Sequence, residues 1–218
     1  MVKQQRAART RRALIQAAAE AFTQDGFTSA SLAAISRRAG VSSGALHFHF
    51  ESKNALAQAV EDEAAAAFGQ VTHRAALHGG TPLQGLVDAT HVLMSLIAED
   101  AVMRAGFALC RDVTRENDAA LRGAWQRWVE DALSRAEQAG QLAEGVSVRE
   151  VTTAIVAATV GLEVLGSTQE QWLSRDAVTR LWGLLAPRIA RPRELSALSC
   201  GPSRPGSPRR PSAAPRPK

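Results

Sequence analysis

Residues 31–53 read SLAAISRRAGVSSGALHFHFESK. Leu32, Ile35 and Ala39 fall at i, i+3 and i+7, which is one face of a short helix. Ser31 stands just before that run, where a hydroxyl accepts from an N–H of the first turn. Gly40 follows the run, at the point where a helix ends most cheaply in a left-handed residue. Val41 fills the corner. Ser42 is a second N-cap, opening a helix expected over Ser43–Phe50. Two helices of this length with glycine between them have the form of a helix-turn-helix.

The second helix suits a groove in DNA. Ser42, Ser43, Gly44 and Ala45 are small and let the backbone approach, and the first-turn N–H groups favour phosphate. His47, His49 and Lys53 carry donors, while Leu46 and Phe50 point inward. Periodicity alone also admits a helical hairpin buried in a core, with the aromatics as filling.

The stretch resembles the DNA-binding domain of TetR-family transcription regulators. Their pattern places a small hydroxyl residue before a hydrophobic-x-x-Ile run, then AGVS-x-G-x-L-Tyr-x-His-Phe-x-x-Lys. The matching positions here are Ser31, Ile35, Ala39 to Ser42, Gly44, Leu46, His49, Phe50 and Lys53. His47 stands where the family usually has tyrosine. The wording GALHFHF is similar to the GALYFHF of γ-butyrolactone autoregulator receptors and their pseudo-receptor relatives in filamentous bacteria. The resemblance implies an all-α protein with an N-terminal three-helix DNA-binding domain and a C-terminal helical domain for ligand binding and dimerisation.

The 218 residues suffice for a small module and a larger core, and 45% of them are apolar. The formal charge of +5 divides unevenly along the chain. Residues 1–53 hold 8 Lys+Arg against 3 Asp+Glu, or +5; residues 54–190 hold 11 against 17, or −6; residues 191–218 hold 7 against 1, or +6. A basic module beside an acidic body suits contact with phosphate at one end only. The opening MVKQQRAARTRR has no apolar run behind it, and no run reaches membrane-span length. Neither a signal peptide nor a membrane partner is expected, and a cytoplasmic location is. Cys110 and Cys200 lie far apart, in settings that do not suggest a disulfide.

Residues 1–9 are polar and basic and read as a loose arm. Arg9, Arg11 and Arg12 lead into a first helix with Leu14, Ile15, Ala18, Ala21 and Phe22 on its inner face and Gly26 at its end. Arg9 and Arg11 join Ser31, Ser42, Ser43, Gly44, Ala45, His47, His49 and Lys53 as DNA-binding candidates. Ser52 caps a long helix expected over Lys53–Leu77, with Leu56, Val60, Ala64, Phe68 and Val71 inward and Glu61, Asp62 and Glu63 as a solvated face. In the family this helix links the two domains. Thr81 caps a helix from Pro82 to about Ala98. Asp100 caps the next, whose VMRAGFAL resembles the receptor branch. Arg111–Asp118 reads as a charged connector. His73, His78 and His91 do not make a metal-ligand spacing.

The helix from about Asp118 to Ala139 carries Trp125 and Trp128 one turn apart. Such rings fill a core or line an apolar cavity that holds a flat ligand. In the receptor branch a tryptophan of this helix lines the pocket, and Trp125 matches its position. Met94, Phe107, Trp128 and Thr159 complete the ligand-binding candidates. The run TTAIVAATVGLEVLG, in a helix Ser147 caps, is apolar nearly all round, which asks for burial on a second face. With the helix over Arg175–Ala190 it resembles the family's two-fold four-helix interface. The dimerisation candidates are Val156, Val160, Leu181, Trp182 and Leu185, while Glu163 faces either the pocket or the axis. Residues 191–218 hold 7 of the 9 prolines and read as a disordered basic tail.

These readings give three domain ranges, 1–53, 54–190 and 191–218. They point to a homodimeric repressor on a palindromic operator, released by a small apolar signal such as a γ-butyrolactone. A pseudo-receptor answering to an antibiotic or a biosynthetic intermediate has the same parts. A non-specific architectural DNA binder would not need the large second domain. No Ser/His/Asp or Cys/His set stands at a plausible spacing and no Gly-rich loop follows a strand, so neither an enzyme nor a cofactor is expected.

Overall fold

The computed structural model describes residues 2–77, 80–110 and 120–201. The expected connector at 111–118, His78 and the chain beyond 201 lie outside them. The described chain is helical: α1 Val2–Ser29, α2 Leu32–Arg38, α3 Ser43–His49, α4 Lys53–Leu77, α5 Pro82–Glu99, α6 Ala101–Leu109, α7 Ala120–Gln138, α8 Val148–Gly166, α9 Arg175–Ile189 and α10 Pro192–Leu195.

The hydroxyl and carboxylate caps form as their positions imply. Ser31 Oγ accepts from Ala34 N at 3.2 Å, Ser42 Oγ from Ala45 N at 3.2 Å, and Ser52 Oγ from Ala55 N at 3.0 Å. Thr81 and Ser147 cap α5 and α8, and Asp100 caps α6 with two bonds. Each satisfies a first-turn N–H that would otherwise lack a partner. At the end of α2, Gly40 takes φ 68°. Val41 N then donates to Ser36 O at 3.0 Å and Gly40 N to Arg37 O at 3.1 Å. This double bond closes the turn between α2 and α3.

Two expectations about the ends of the chain are corrected. The N-terminal arm is not loose: α1 starts at Val2 and continues across a kink at Gly26 to Ser29. The segment 191–201 is not disordered. Ala143 N donates to Ile189 O and Arg191 N to Gln141 O, both at 2.9 Å, and α10 follows. Gln84 then donates Nε2 to Ser199 O at 3.1 Å and accepts Ser199 N at 2.8 Å. His91 Nε2 donates to Cys200 O at 2.9 Å, so Gln84 and His91 on α5 hold the segment along that helix. Leu195 and Leu198 pack on the core. Composition misleads here because a few anchoring contacts outweigh proline and arginine content.

The body is built around α5, whose Leu86, Val87, Leu93, Met94 and Ile97 are buried. α4 and α7 pack against it, and α8 packs on α7. α6 lies against both α1 and α4, and so touches the DNA-binding module as well as the body. Its Gly106 makes this approach possible: a Cβ there would stand 2.6 Å from Ala64 Cβ and 2.9 Å from Leu121 Cδ1. Gly106→Ala should therefore lower stability by about 1–3 kcal/mol through overpacking. Gly69→Ala, exposed within α4 with nothing within 4 Å of its added Cβ, should raise it by up to about 1 kcal/mol. Urea unfolding of both variants reads the contrast.

Candidate functional site

The outward side of α3 is a small-residue and imidazole surface. Ser43, Gly44 and His47 are exposed, Ala45 and His49 half-buried, and Leu46 and Phe50 buried beneath them. Arg9 is exposed on α1. Arg11 lies over the Phe50 ring at 5.4 Å, a cation–π contact that sets its side chain beside α3. Ser31 and Ser42 are exposed, with their hydroxyl lone pairs engaged as caps. Arg9, Ser31, Ser42, Ser43, Gly44 and His47 are thus open to solvent, Arg11 is held beside α3, and Lys53 is engaged within the module.

Lys53 Nζ donates to the carbonyls of Phe27, Thr28 and Ala30 at 2.8, 2.9 and 3.0 Å. It also lies 4.7 Å from the centre of the Phe27 ring. An ammonium has three protons, and all three are used. The expectation that Lys53 donates to phosphate is corrected: it clamps the end of α1 to the start of α4. Phe48 carries no role in the helix-turn-helix pattern. It is 82% exposed on α3, with its ring edge-on to His49 at 5.2 Å. Its signal was its place between the inward residues Leu46 and Phe50.

In the body, Trp125 is 1% exposed. Its ring stacks on Trp128 at 5.5 Å and meets Phe68 of α4 edge-on at 6.3 Å. Its Nε1–H donates to Thr159 Oγ1 at 2.8 Å, and that hydroxyl donates onward to Ile155 O at 2.8 Å. Met94 and Phe107 belong to the same core. Trp128 is half-buried and borders a cleft of about 60 Å³ with Ala75, Thr81, Gly85, Ala132 and Arg135. Trp125 thus sits inside the packing and Trp128 at its edge.

Glu163 is buried and meets Arg122 Nη2 at 2.6 Å, so it faces α7 rather than solvent. Glu61 is buried too, which leaves only Asp62 and Glu63 on the expected solvated face. Burial pushes the thiols of Cys110 and Cys200 above their ordinary range. At Cys110 this outweighs the Leu121 backbone contact and the Arg122 charge. Neither thiol is set up as a nucleophile.

α8 and α9 each expose apolar side chains. On α8, Leu165 is 46% and Val164 39% exposed, with Val156 and Val160 half-buried; on α9, Leu184 is 75% exposed, with Leu181 and Leu185 half-buried. Trp182 is corrected: at 0% exposure it belongs to the protomer core and offers nothing to a partner. Its side faces inward in register with Val178, Ala186 and Ile189, which are also buried.

Residues 14–60 match the model for bacterial regulatory proteins of the tetR family. The A-factor receptor protein of Streptomyces griseus is 31% identical over 193 residues, 88% of this chain and 68% of that protein. The chain belongs to the tetR family. Among solved tetR-family structures, TylP of Streptomyces fradiae superposes with a TM-score of 0.71 at 30% identity, over 90% of this chain and 93% of that one. CprB of Streptomyces coelicolor, solved with its biological operator sequence, gives 0.75 at 25% identity, over 88% and 94%. This tetR-family chain is a DNA-binding regulator, and α2–α3 is its helix-turn-helix. Among the described residues no helix is long and apolar enough to cross a membrane.

The Lys53 clamp gives a direct test. Lys53→Met keeps the aliphatic stem and removes the donors, leaving three carbonyls without their charged partner. Unfolding stability in urea should fall by about 1–3 kcal/mol.

Proposed function

We propose that this regulator is a homodimeric repressor that binds a palindromic operator and leaves it when a small apolar signal, of the γ-butyrolactone kind, enters the body. The contact between Phe68 and Trp125 carries the reading. Phe68 belongs to α4, the helix whose first residue, Lys53, is clamped to the DNA-binding module. Trp125 belongs to α7, the helix that the resemblance makes part of the pocket. A ligand that displaces the Trp125 ring therefore acts on α4 directly. α4 is helical over 25 residues and transmits that shift as a tilt of the module. The second route runs through α6, held against α4 at Gly106 and against α1.

The signal releases DNA only by binding the tilted arrangement more tightly than the DNA-competent one. Once the ring moves, the Trp125 N–H, now donated to Thr159, supplies the polar anchor, and Trp128, Met94 and Phe107 the apolar walls. The names of the relatives support this chemistry, since one is a receptor for A-factor and another was solved on its operator. The exposed apolar residues of α8 and α9 support a two-fold partner, because burying Leu184, Leu165 and Val164 gains roughly 25 cal/mol per Å² of apolar surface. Two modules related by that axis would place α3 in successive major grooves.

Selection of bound sequences from a random DNA pool should enrich one palindrome, its half-sites about one helical turn apart. Enrichment of a single unpaired site, or none, would count against the reading. Leu184→Glu should shift sedimentation from dimer to monomer and remove binding to that palindrome. Trp125→Ala is unsuitable as a ligand test because emptying so large a buried volume costs about 3–5 kcal/mol. Trp125→Phe keeps an aromatic ring at the site and deletes the N–H with the pyrrole half of the indole. It should keep operator affinity and raise the γ-butyrolactone concentration needed for release by roughly three- to ten-fold.

A further inference from the structure

Phe48 has no role in the packing of the protomer. It is 82% exposed, although Leu46 and Phe50 on either side are buried. A single exposed apolar side chain is ordinary on a protein surface. Its surroundings are not: the neighbouring outward positions of α3, Ser43, Gly44, Ala45 and His47, are small or carry a ring donor. The phenyl therefore projects beyond its neighbours. Its edge-on contact with the His49 ring, at 84° between planes, limits the orientations it adopts. Fewer orientations mean less entropy lost when the ring is seated.

The charges of the module attract any DNA sequence, because they address phosphates common to all. Sequence choice has to come from groups that meet base edges. A phenyl ring neither donates nor accepts a conventional hydrogen bond, so the feature it can select is an apolar one. In the major groove that feature is the 5-methyl group of thymine. We propose that Phe48 is a specificity-determining residue that packs on a thymine 5-methyl at one position of each half-site. This rests on the regulator reading above, and the experiment separates the two.

Full-length wild type and Phe48→Ala are each put through selection from a random pool, with thermal unfolding checked for both. The ring is exposed, so unfolding should be unchanged. The wild-type palindrome should contain a thymine position that Phe48→Ala no longer selects, while its other positions persist. Within that palindrome, replacing the thymine by deoxyuridine deletes only the methyl. It should weaken wild-type binding about four-fold, the worth of one buried methyl, and leave Phe48→Ala unaffected. If wild type enriches no sequence, the regulator reading fails and this inference with it. If wild type enriches a palindrome but Phe48→Ala keeps every preference, or deoxyuridine costs the wild type nothing, the inference alone is overturned. A uniform loss over all sequences in Phe48→Ala would also overturn it, since that result assigns the ring to the sugar–phosphate backbone.

Discussion

Three backbone carbonyls at the end of α1 converge on one ammonium group, and the arrangement of the two domains depends on that convergence. Helix ends leave carbonyls without intrahelical partners, and the kink at Gly26 sets the last turn of α1 apart from the helix before it. Lys53 supplies the missing donors from the first residue of α4. The start of α4 is therefore fixed to the module by charge-assisted bonds, while Leu56, Val60, Ala64, Phe68 and Val71 further along the helix are buried. A helix bends only by loosening its own hydrogen bonds, so a shift at one end reappears at the other. Module and body share one continuous helix.

The same economy of contacts governs the body. Trp125 is tied to α8 through Thr159 and to α4 through Phe68, and α6 closes against α4 because Gly106 has no side chain. These contacts link the apolar core to α4 at separate heights. A change in the core that moves one of them strains the others, which is how a packed interior turns a small displacement into a choice between two arrangements.

Much of this was legible in the sequence, and the physical reasons are local. Ser31, Gly40, Ser42, Ser52, Thr81, Asp100 and Ser147 act within a turn of their own positions, so their residue types announce helix ends directly. The inward positions of α1 to α5 follow from helical period. What could not be read depends on partners distant in sequence. Lys53 has the chemistry of a phosphate contact, and only the fold shows that residues 27–30 have taken its protons. Trp182 has the composition of an interface residue, and only packing shows that its side of α9 faces the core. Arg191–Gly201 has the composition of a tail, and only Gln84 and His91, more than a hundred residues earlier, show otherwise. Trp125 was legible as a buried indole, whereas its link to α4 through Phe68 was not.

The docked segment also bears on the order in which the chain can fold as it is made. Leu83 N donates to Gln141 Oε1 at 3.2 Å, and the Gln84 amide pairs with Ser199. Both groups sit at the start of α5, and a buried amide without its partner costs about 1–3 kcal/mol. The contacts within α1–α3 and the Lys53 clamp need only the first quarter of the chain, so the DNA-reading module has its own partners early in synthesis. The start of α5 gains its last partner when residue 199 has left the ribosome. The body therefore completes its bonds after the DNA-binding module, because the start of α5 waits for a segment more than a hundred residues further along the chain.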